Sequence, residues 1–337
     1  MEKRSKYEKP LRIPFGEMRQ TFYDILRQRG FSDEDAALSA RLFTETSCDG
    51  VYSHGLNRFP RYIGDIDQGY IDVQAEPQLI ARNGVMEQWD GGLGPGNLNA
   101  YRSMERAVAI ARENGMGCVA LRNTNHWMRG GTYGWQAADA GCQAMLWSNT
   151  TGLMPPWGGI EPTIGNNPMI LALPRAGGHV VLDFAQSMYS FGKLSIHSKS
   201  GEPLPYVGGY DEDGNLTKDA SAIEKSIRPL PAGLWKGSGL AIMLDLFATT
   251  LSGGNSTMEI SQQEHEHGLS QVFIAIESSS GRRAIVDDII EHLHSTRPVD
   301  TRKEVRYPGE RTLEVRTENM ASGIPVDQQI WEQVCRL

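Results

Sequence analysis

Apolar positions in the first seventy residues recur at intervals of three and four. In FGEMRQTFYDILRQRG, Phe15, Met18, Phe22, Ile25 and Leu26 share one stripe and Gly30 follows as a stop, which predicts an amphipathic helix. A second helix is predicted over SDEDAALSARLFTETSCDG, where Ser32 can cap the first turn and the acidic residues after it suit the helix dipole. The third segment, SHGLNRFPRYIGDIDQGY, reads as helical with Pro60 inside it, so its helix begins close to that proline or kinks there.

The period then changes. PQLIARNGVMEQWD predicts a strand, a turn and a strand. A glycine-rich corner, a helix over AYRSMERAVAIAREN and a strand over GCVALRN follow. CQAMLWSN, PMILALP, HVVLDFA and SQVFIAIE are further strand-like runs, with an apolar helix in GLAIMLDLFATTLSGG between the last two. The charged helical segments RRAIVDDIIEHLHST and VDQQIWEQVCRL come last. Strands and helices do not alternate strictly, so the expected class is α+β (mixed α/β) rather than a doubly wound parallel sheet. The expected division is a leader over 1–12, a helical unit over 13–75, an α/β region over 76–310 and a C-terminal helical segment over 311–337 that packs back on the helical unit.

Composition removes several classes of function. A chain of 337 residues can bury a large core. Its net charge of -8, without long basic clusters, argues against nucleic acid as a partner. The opening MEKRSKYEKPLRIPFG lacks the apolar core of a secretory signal, and the most apolar window is interrupted by Asp245, so a cytoplasmic protein with no membrane partner is expected. Cys48, Cys118, Cys142 and Cys335 are widely spaced and form no Cys-x-x-Cys pair, which suits reduced, structural thiols.

Three motifs mimic sites and fail on context. GMGCVA fits a dinucleotide fingerprint, but a helix precedes it and a strand follows, so Gly115 reads as a helix cap. DEDGNLTKDASA imitates a calcium loop with Leu216 where glycine is required and Ala222 where the bidentate glutamate belongs, leaving a hairpin. His265 and His267 in EHEHG lack further ligands and read as a turn. No metal is expected.

Four stretches could carry chemistry. If residues 54–58 are helical, His54 and Arg58 share a face: an imidazole that moves a proton near neutral pH and a planar fork for a carboxylate. The alternative is a surface helix with Arg58 solvated, and Ser53 is either an N-cap or part of a site. In LRNTNHWMRGGTYGWQAADAG, Asn123, Asn125, His126 and Arg129 cluster where a strand stops, a common place for a pocket. Asp183 interrupts the apolar strand of HVVLDFAQSMYS and, if buried, needs a partner, for which a histidine is suited. Lys236, Gly237, Ser238 and Gly239 precede an apolar helix and could offer N–H groups and an ammonium to a cofactor phosphate.

Six motifs in one order, GVYSHGLNRFPRYI, VALRNTNHWMRGGTYGWQAADAG, MPPWGG, GNNPMILALP, DEDGNLTK and WKGSGLAIMLDL, resemble the malate/L-lactate dehydrogenase family that is distinct from the Rossmann-type enzymes. The resemblance runs from about Ile13 to Cys335. It implies a nicotinamide-dependent reductase of a small 2-oxo acid, a sugar-derived diketo acid first, with NADH as cofactor and NADPH as the alternative. Other family substrates (malate, lactate, sulfolactate, ureidoglycolate, a cyclic imine such as piperideine-2-carboxylate) and a noncatalytic sugar-acid binding protein are the alternatives. It further implies that His54 is the proton donor, that Arg58 holds the substrate carboxylate and that Asp183 supports the histidine. Ser53, Asn125 and His126 would line the substrate pocket. The cofactor would contact His179, Val180, Val181, Leu182, Asp183, Phe184 and Ala185, then Trp235 and Lys236, then a turn of Gly309, Glu310 and Arg311. The implied fold is a largely antiparallel sheet with N-terminal helices, in a homodimer with shared sites. Asn166 in GNNP stands where many relatives carry threonine, which puts a hydroxyl contact in question.

Overall fold

The computed structural model describes residues 11–278 and 284–337; most of the expected leader, 1–10, lies outside the described residues. The chain divides into two compact units, one of residues up to Gln74 together with Gly309–Leu337, the other Ala75–Pro308.

In the first unit, β1 (Leu11–Ile13) leads into α1 (Phe15–Gln28), α2 (Asp33–Cys48) and α3 (Phe59–Asp67). Ser32 caps α2 by accepting from Asp35 N at 3.1 Å. The periodic aromatics meet in one cluster: Phe22 stacks on Phe59 with centroids 4.1 Å apart, and Phe43 contacts Phe59 and Tyr62 at 5.1 and 5.0 Å. All four side chains are fully buried, each contributing about 2–3 kcal/mol of apolar transfer.

The second unit holds β2 (Gln78–Asn83), β3 (Met86–Asp90), α4 (Gly96–Asn114), β4 (Met116–Thr124), α5 (Gly131–Asp139), β5 (Cys142–Ser148), β6 (Met169–Leu173), β7 (Val180–Phe184), α6 (Phe191–Ser200), β8 (Gly209–Tyr210), β9 (Leu216–Thr217), α7 (Ala220–Ser226), α8 (Trp235–Ser252), α9 (Thr257–Ser261), β10 (Leu269–Glu277) and α10 (Ala284–His294). The first unit is completed by α11 (Glu310–Ser322), β11 (Ile324–Val326), which pairs antiparallel with β1, and α12 (Gln328–Val334). The leader was expected to extend to residue 12, but Leu11 and Arg12 belong to this ladder. Helix α11 falls in the helical segment expected over 311–337, although its sequence shows no strong apolar stripe. Its place is fixed by polar contacts instead: Arg316 grips Asp49 at 2.6 and 2.8 Å, and Asn319 donates to Cys48 O.

Seven strands form one sheet in the order β2-β3-β4-β10-β5-β6-β7, parallel only between β3 and β4. Cys118, Ala120, Trp147 and Val272 meet Leu244 and Ala248 of α8 on one face. Alternate positions face α4 and α5: Gly117 lies so close to α4 that a Cβ would stand 2.1 Å from Ala107 O, and Phe273 meets Trp127 and Tyr133 edge-on. Burial on both faces explains why these strands read as continuous apolar runs. Asp245, the acidic residue in the middle of apolar α8, accepts from Asn149 Nδ2 and Thr257 N, each at 2.9 Å, which ties α8 to the end of β5 and the start of α9.

The decoys resolve as expected: Gly115 caps α4 with φ 83°, and β8–β9 is a hairpin in which Asp211 accepts from Asn215 N. All four cysteines are free, and burial pushes the Cys48 and Cys118 thiols up to about 11, so neither is a nucleophile near neutral pH. Among the described residues no helix is long and apolar enough to cross a membrane.

Candidate active site

In the first unit, residues 52–58 are two short 3-10 turns, Tyr52–His54 and Leu56–Arg58, broken at Gly55. The expectation that His54 and Arg58 share a face one α-helical turn apart is corrected. The break has a steric cause: a Cβ on Gly55 would lie 2.2 Å from Ser47 Oγ and 2.8 Å from Ser47 N, so the loop presses onto α2 where no side chain fits. Ser47 Oγ accepts from Leu56 N at 2.8 Å and fixes that approach.

Ser53 is not an N-cap. It lies inside the first turn, and its Oγ is 2.9 Å from His54 Nδ1. A hydroxyl can donate to a neutral Nδ1 or accept from the Nδ1–H of an imidazolium, so this contact orients the ring in either protonation state. Ser53 is exposed and His54 and Arg58 are half-buried. Arg61 stands 4.0 Å from Asp65 on α3, a helix-surface pair.

In the second unit, the polar cluster after β4 divides into scaffold and site. Asn123 and Met128 both adopt left-handed backbone, with φ 53° and 65°, the kind of strain that surrounding structure must hold. Buried Asn125 donates both side-chain N–H groups to backbone, Leu93 O at 2.6 Å and Gly94 O at 3.1 Å, so it staples the glycine corner and cannot donate to a substrate. His126 Nδ1 accepts from Met128 N at 2.9 Å. That contact selects the neutral tautomer with hydrogen on Nε2.

Glycines then bring α5 onto the sheet. A Cβ at Gly130 or Gly134 would clash with Ile170, at 2.4 and 2.9 Å, and one at Gly131 would stand 2.7 Å from Asp183 Oδ2. With no side chain between, Gly131 N donates to Asp183 Oδ2 at 2.8 Å. Desolvation by surrounding protein raises the Asp183 carboxyl above the ordinary aspartate range, while the Arg129 guanidinium and the Gly131 N–H oppose the rise. Part of Asp183 is open to water, which limits the size of that shift. Within this unit the Gly131 N–H is its hydrogen-bond donor, and the Arg129 guanidinium is the charge that favours its ionised form. Arg129 stood in the expected polar cluster without a role and Gly131 was not among the expected site residues; the signal was the Arg-Gly-Gly run before a helix.

Two segments expected at the cofactor come together. Just beyond β7, Ala232 N donates to Gln186 O and Met188 N to Leu230 O, each at 2.7 Å, which zips the exit of β7 to the chain entering α8. Val180, Val181, Leu182, Asp183 and Phe184 form the edge strand of the sheet, with Ala185 after it. Trp235 is 65% exposed beside exposed Lys236, after Leu234 at φ 59°. The expected backbone phosphate cradle is corrected: residues 236–239 lie inside α8, and the N–H groups of Lys236, Gly237 and Ser238 bond to Gly233, Ala232 and Leu234 carbonyls. His179 is a latch, accepting from Arg175 N on Nδ1 and meeting Asp139 with Nε2 at 2.9 Å. The Gly309–Arg311 segment is not a free turn: Gly309 caps α11, and Glu310 and Arg311 begin that helix in the other unit. Thr150 Oγ1 donates to Asn166 Oδ1 at 3.2 Å, which engages the residue standing for the usual threonine. A cavity of about 250 Å³ lined by Glu76, Trp89, Arg102 and Arg106 includes none of these residues.

The outermost strand is partly covered, since Val181 N donates to Pro308 O at 2.9 Å, while the exposed Trp235 indole and the Lys236 ammonium fit the planar rings and the pyrophosphate of a nicotinamide dinucleotide. The comparisons with known proteins agree. The family model for malate/L-lactate dehydrogenase matches residues 13–335. The chain is 44% identical over 330 residues to a 2,3-diketo-L-gulonate reductase of Klebsiella pneumoniae (strain 342), covering 96% of this chain and 99% of that one. Among solved structures it is similar to the malate dehydrogenase of Pyrococcus horikoshii OT3, with a TM-score of 0.88 at 26% identity covering 98% and 96% of the two chains. It is similar also to the delta1-piperideine-2-carboxylate reductase of Pseudomonas syringae pvar. tomato, with a TM-score of 0.85 at 27% identity covering 97% and 99%. Family relatives carry the names of reductases and dehydrogenases, and such chemistry implies a nicotinamide cofactor. The chain belongs to the malate/L-lactate dehydrogenase family, and it is an oxidoreductase.

Proposed function

We propose that the protein is a cytoplasmic, NADH-dependent reductase of small 2-oxo acids, with 2,3-diketo-L-gulonate as first substrate. The observation that carries the reading is the Ser53–His54 pair, which presents an oriented imidazole on a loop that Gly55 pins to α2, with Arg58 in the following turn of the same loop. His54, entering as imidazolium, gives its Nε2 proton to the oxygen of the substrate carbonyl, and Ser53 keeps the ring in line. Arg58 holds the substrate carboxylate in its fork. His126 offers its Nε2–H to a second substrate oxygen, and Asp183 supports the charged histidine as the family likeness implies. A bound nicotinamide supplies the hydride; Trp235, Lys236 and the β7 edge would hold it.

A homodimer belongs to the same reading. Helix α8 buries Ala241, Leu244 and Ala248 yet leaves Met243, Leu246 and Phe247 44–51% exposed, an apolar outer face of the kind that a second copy covers. A Phe247→Asp variant should sediment as a monomer.

The deciding assay is absorbance at the NADH band with 2,3-diketo-L-gulonate, pyruvate, oxaloacetate and piperideine-2-carboxylate, each with NADH and NADPH. Turnover should be fastest with the diketo acid and NADH. Preference for the imine would move the substrate assignment, and ligand binding without any cofactor consumption would refute the enzyme.

A further inference from the structure

Arg129 is a charged side chain that the reading above does not use. It lies on the turn between β4 and α5 and is only 6% exposed, although a guanidinium is costly to bury without an opposite charge. Gly131 locates that charge. A Cβ there would stand 2.7 Å from Asp183 Oδ2 and 3.4 Å from Arg129 Nε, so carboxylate and guanidinium flank one point on the α5 N-terminus.

The other titratable groups around β7 are placed differently. Strand β6 carries none. Asp139, on α5, and His179 pair with each other at the start of β7, and Arg175, which contacts Asp287 and Tyr307, is at that same end. His126, on the same turn as Arg129, has Nδ1 committed to Met128 N. Among the described residues, the Arg129 guanidinium is the charge that favours the ionised Asp183 carboxyl.

We propose that Arg129 is a positioning residue of the reductase: its guanidinium, held on the turn into α5, keeps the Asp183 carboxylate ionised and fixed against the Gly131 N–H. The catalytic consequence rests on the reductase reading, because a protonated Asp183 could no longer support a charged histidine. The pairing itself does not rest on it.

The test labels aspartate carboxyl carbons with ¹³C and follows their titration in the wild type, Arg129→Lys and Arg129→Met, with Asp183→Asn to assign the resonance. In folded Arg129→Met the Asp183 carboxyl should titrate about one pH unit higher or more, and Arg129→Lys should recover much of the difference. The acid limb of kcat/KM should move upward in parallel. An unmoved Asp183 resonance in folded Arg129→Met or Arg129→Lys overturns the proposal. So does a raised KM with the acid limb unmoved, which would make Arg129 a substrate ligand. A shifted resonance in a protein whose wild type turns over no 2-oxo acid supports the pairing and sinks the reductase reading instead.

Discussion

The two units each offer one chemical group, one on a loop and one on a strand, and they hold it in opposite ways. His54 sits on 3-10 turns and is steadied by a neighbouring side chain, Ser53, while backbone fit is supplied from beneath by Gly55 against α2. Asp183 sits on a regular strand and is steadied by a backbone N–H that reaches it only because three glycines let α5 lie on the sheet. The first arrangement keeps the ring accessible and adaptable to either charge state. The second fixes a carboxylate that should not change state.

The comparison breaks most sharply at the proton donor. His54→Asn should lose about 10²–10⁴-fold in kcat with KM little changed, a difference that steady-state kinetics resolves. At the strand, Gly131→Ala should lower kcat about 10²-fold, because a methyl 2.7 Å from Oδ2 must displace the carboxylate. Gly55→Ala tests the other loop by a different readout. Its Cβ meets backbone, so it should destabilise the protein by about 2–3 kcal/mol in chemical denaturation. If both glycine variants behave alike, the proposed division between a stability contact and a carboxylate contact is wrong.

A smaller effect sharpens the contrast away from the site. Glu87, 1% exposed, is gripped by Arg106 at 2.7 and 2.9 Å, by Arg82 and by Trp89 Nε1, and these contacts hold its carboxyl down to about 2. A lowered carboxyl stabilises the fold above its unfolded value and loses that contribution as pH falls through its folded value. Glu87→Gln should therefore cost about 3 kcal/mol near neutral pH, and its deficit against the wild type should shrink as pH drops from about 4.5 towards about 2.

Much of this was legible in the chain. The stripe of Phe15, Met18, Phe22, Ile25 and Leu26, the cap at Ser32 and the apolar strands all encode their own elements, because helix and strand periods are local properties. The false dinucleotide motif was rejected on the same local grounds. His54 and Arg58 were also picked out locally as candidates, but as one α-helical turn, and what breaks that helix at Gly55 is Ser47 of α2, which no spacing rule displays.

Local sequence thus determined which elements form and which residue types offer acid–base and anion chemistry. Tertiary structure decided which polar side chains those elements consume. Asn125 became a staple and His179 a latch, while Arg129 was set near Asp183. Hydrogen-bond donors and buried charges are allotted by whatever backbone or carboxylate packs against them, and that neighbour lies dozens of residues away along the chain.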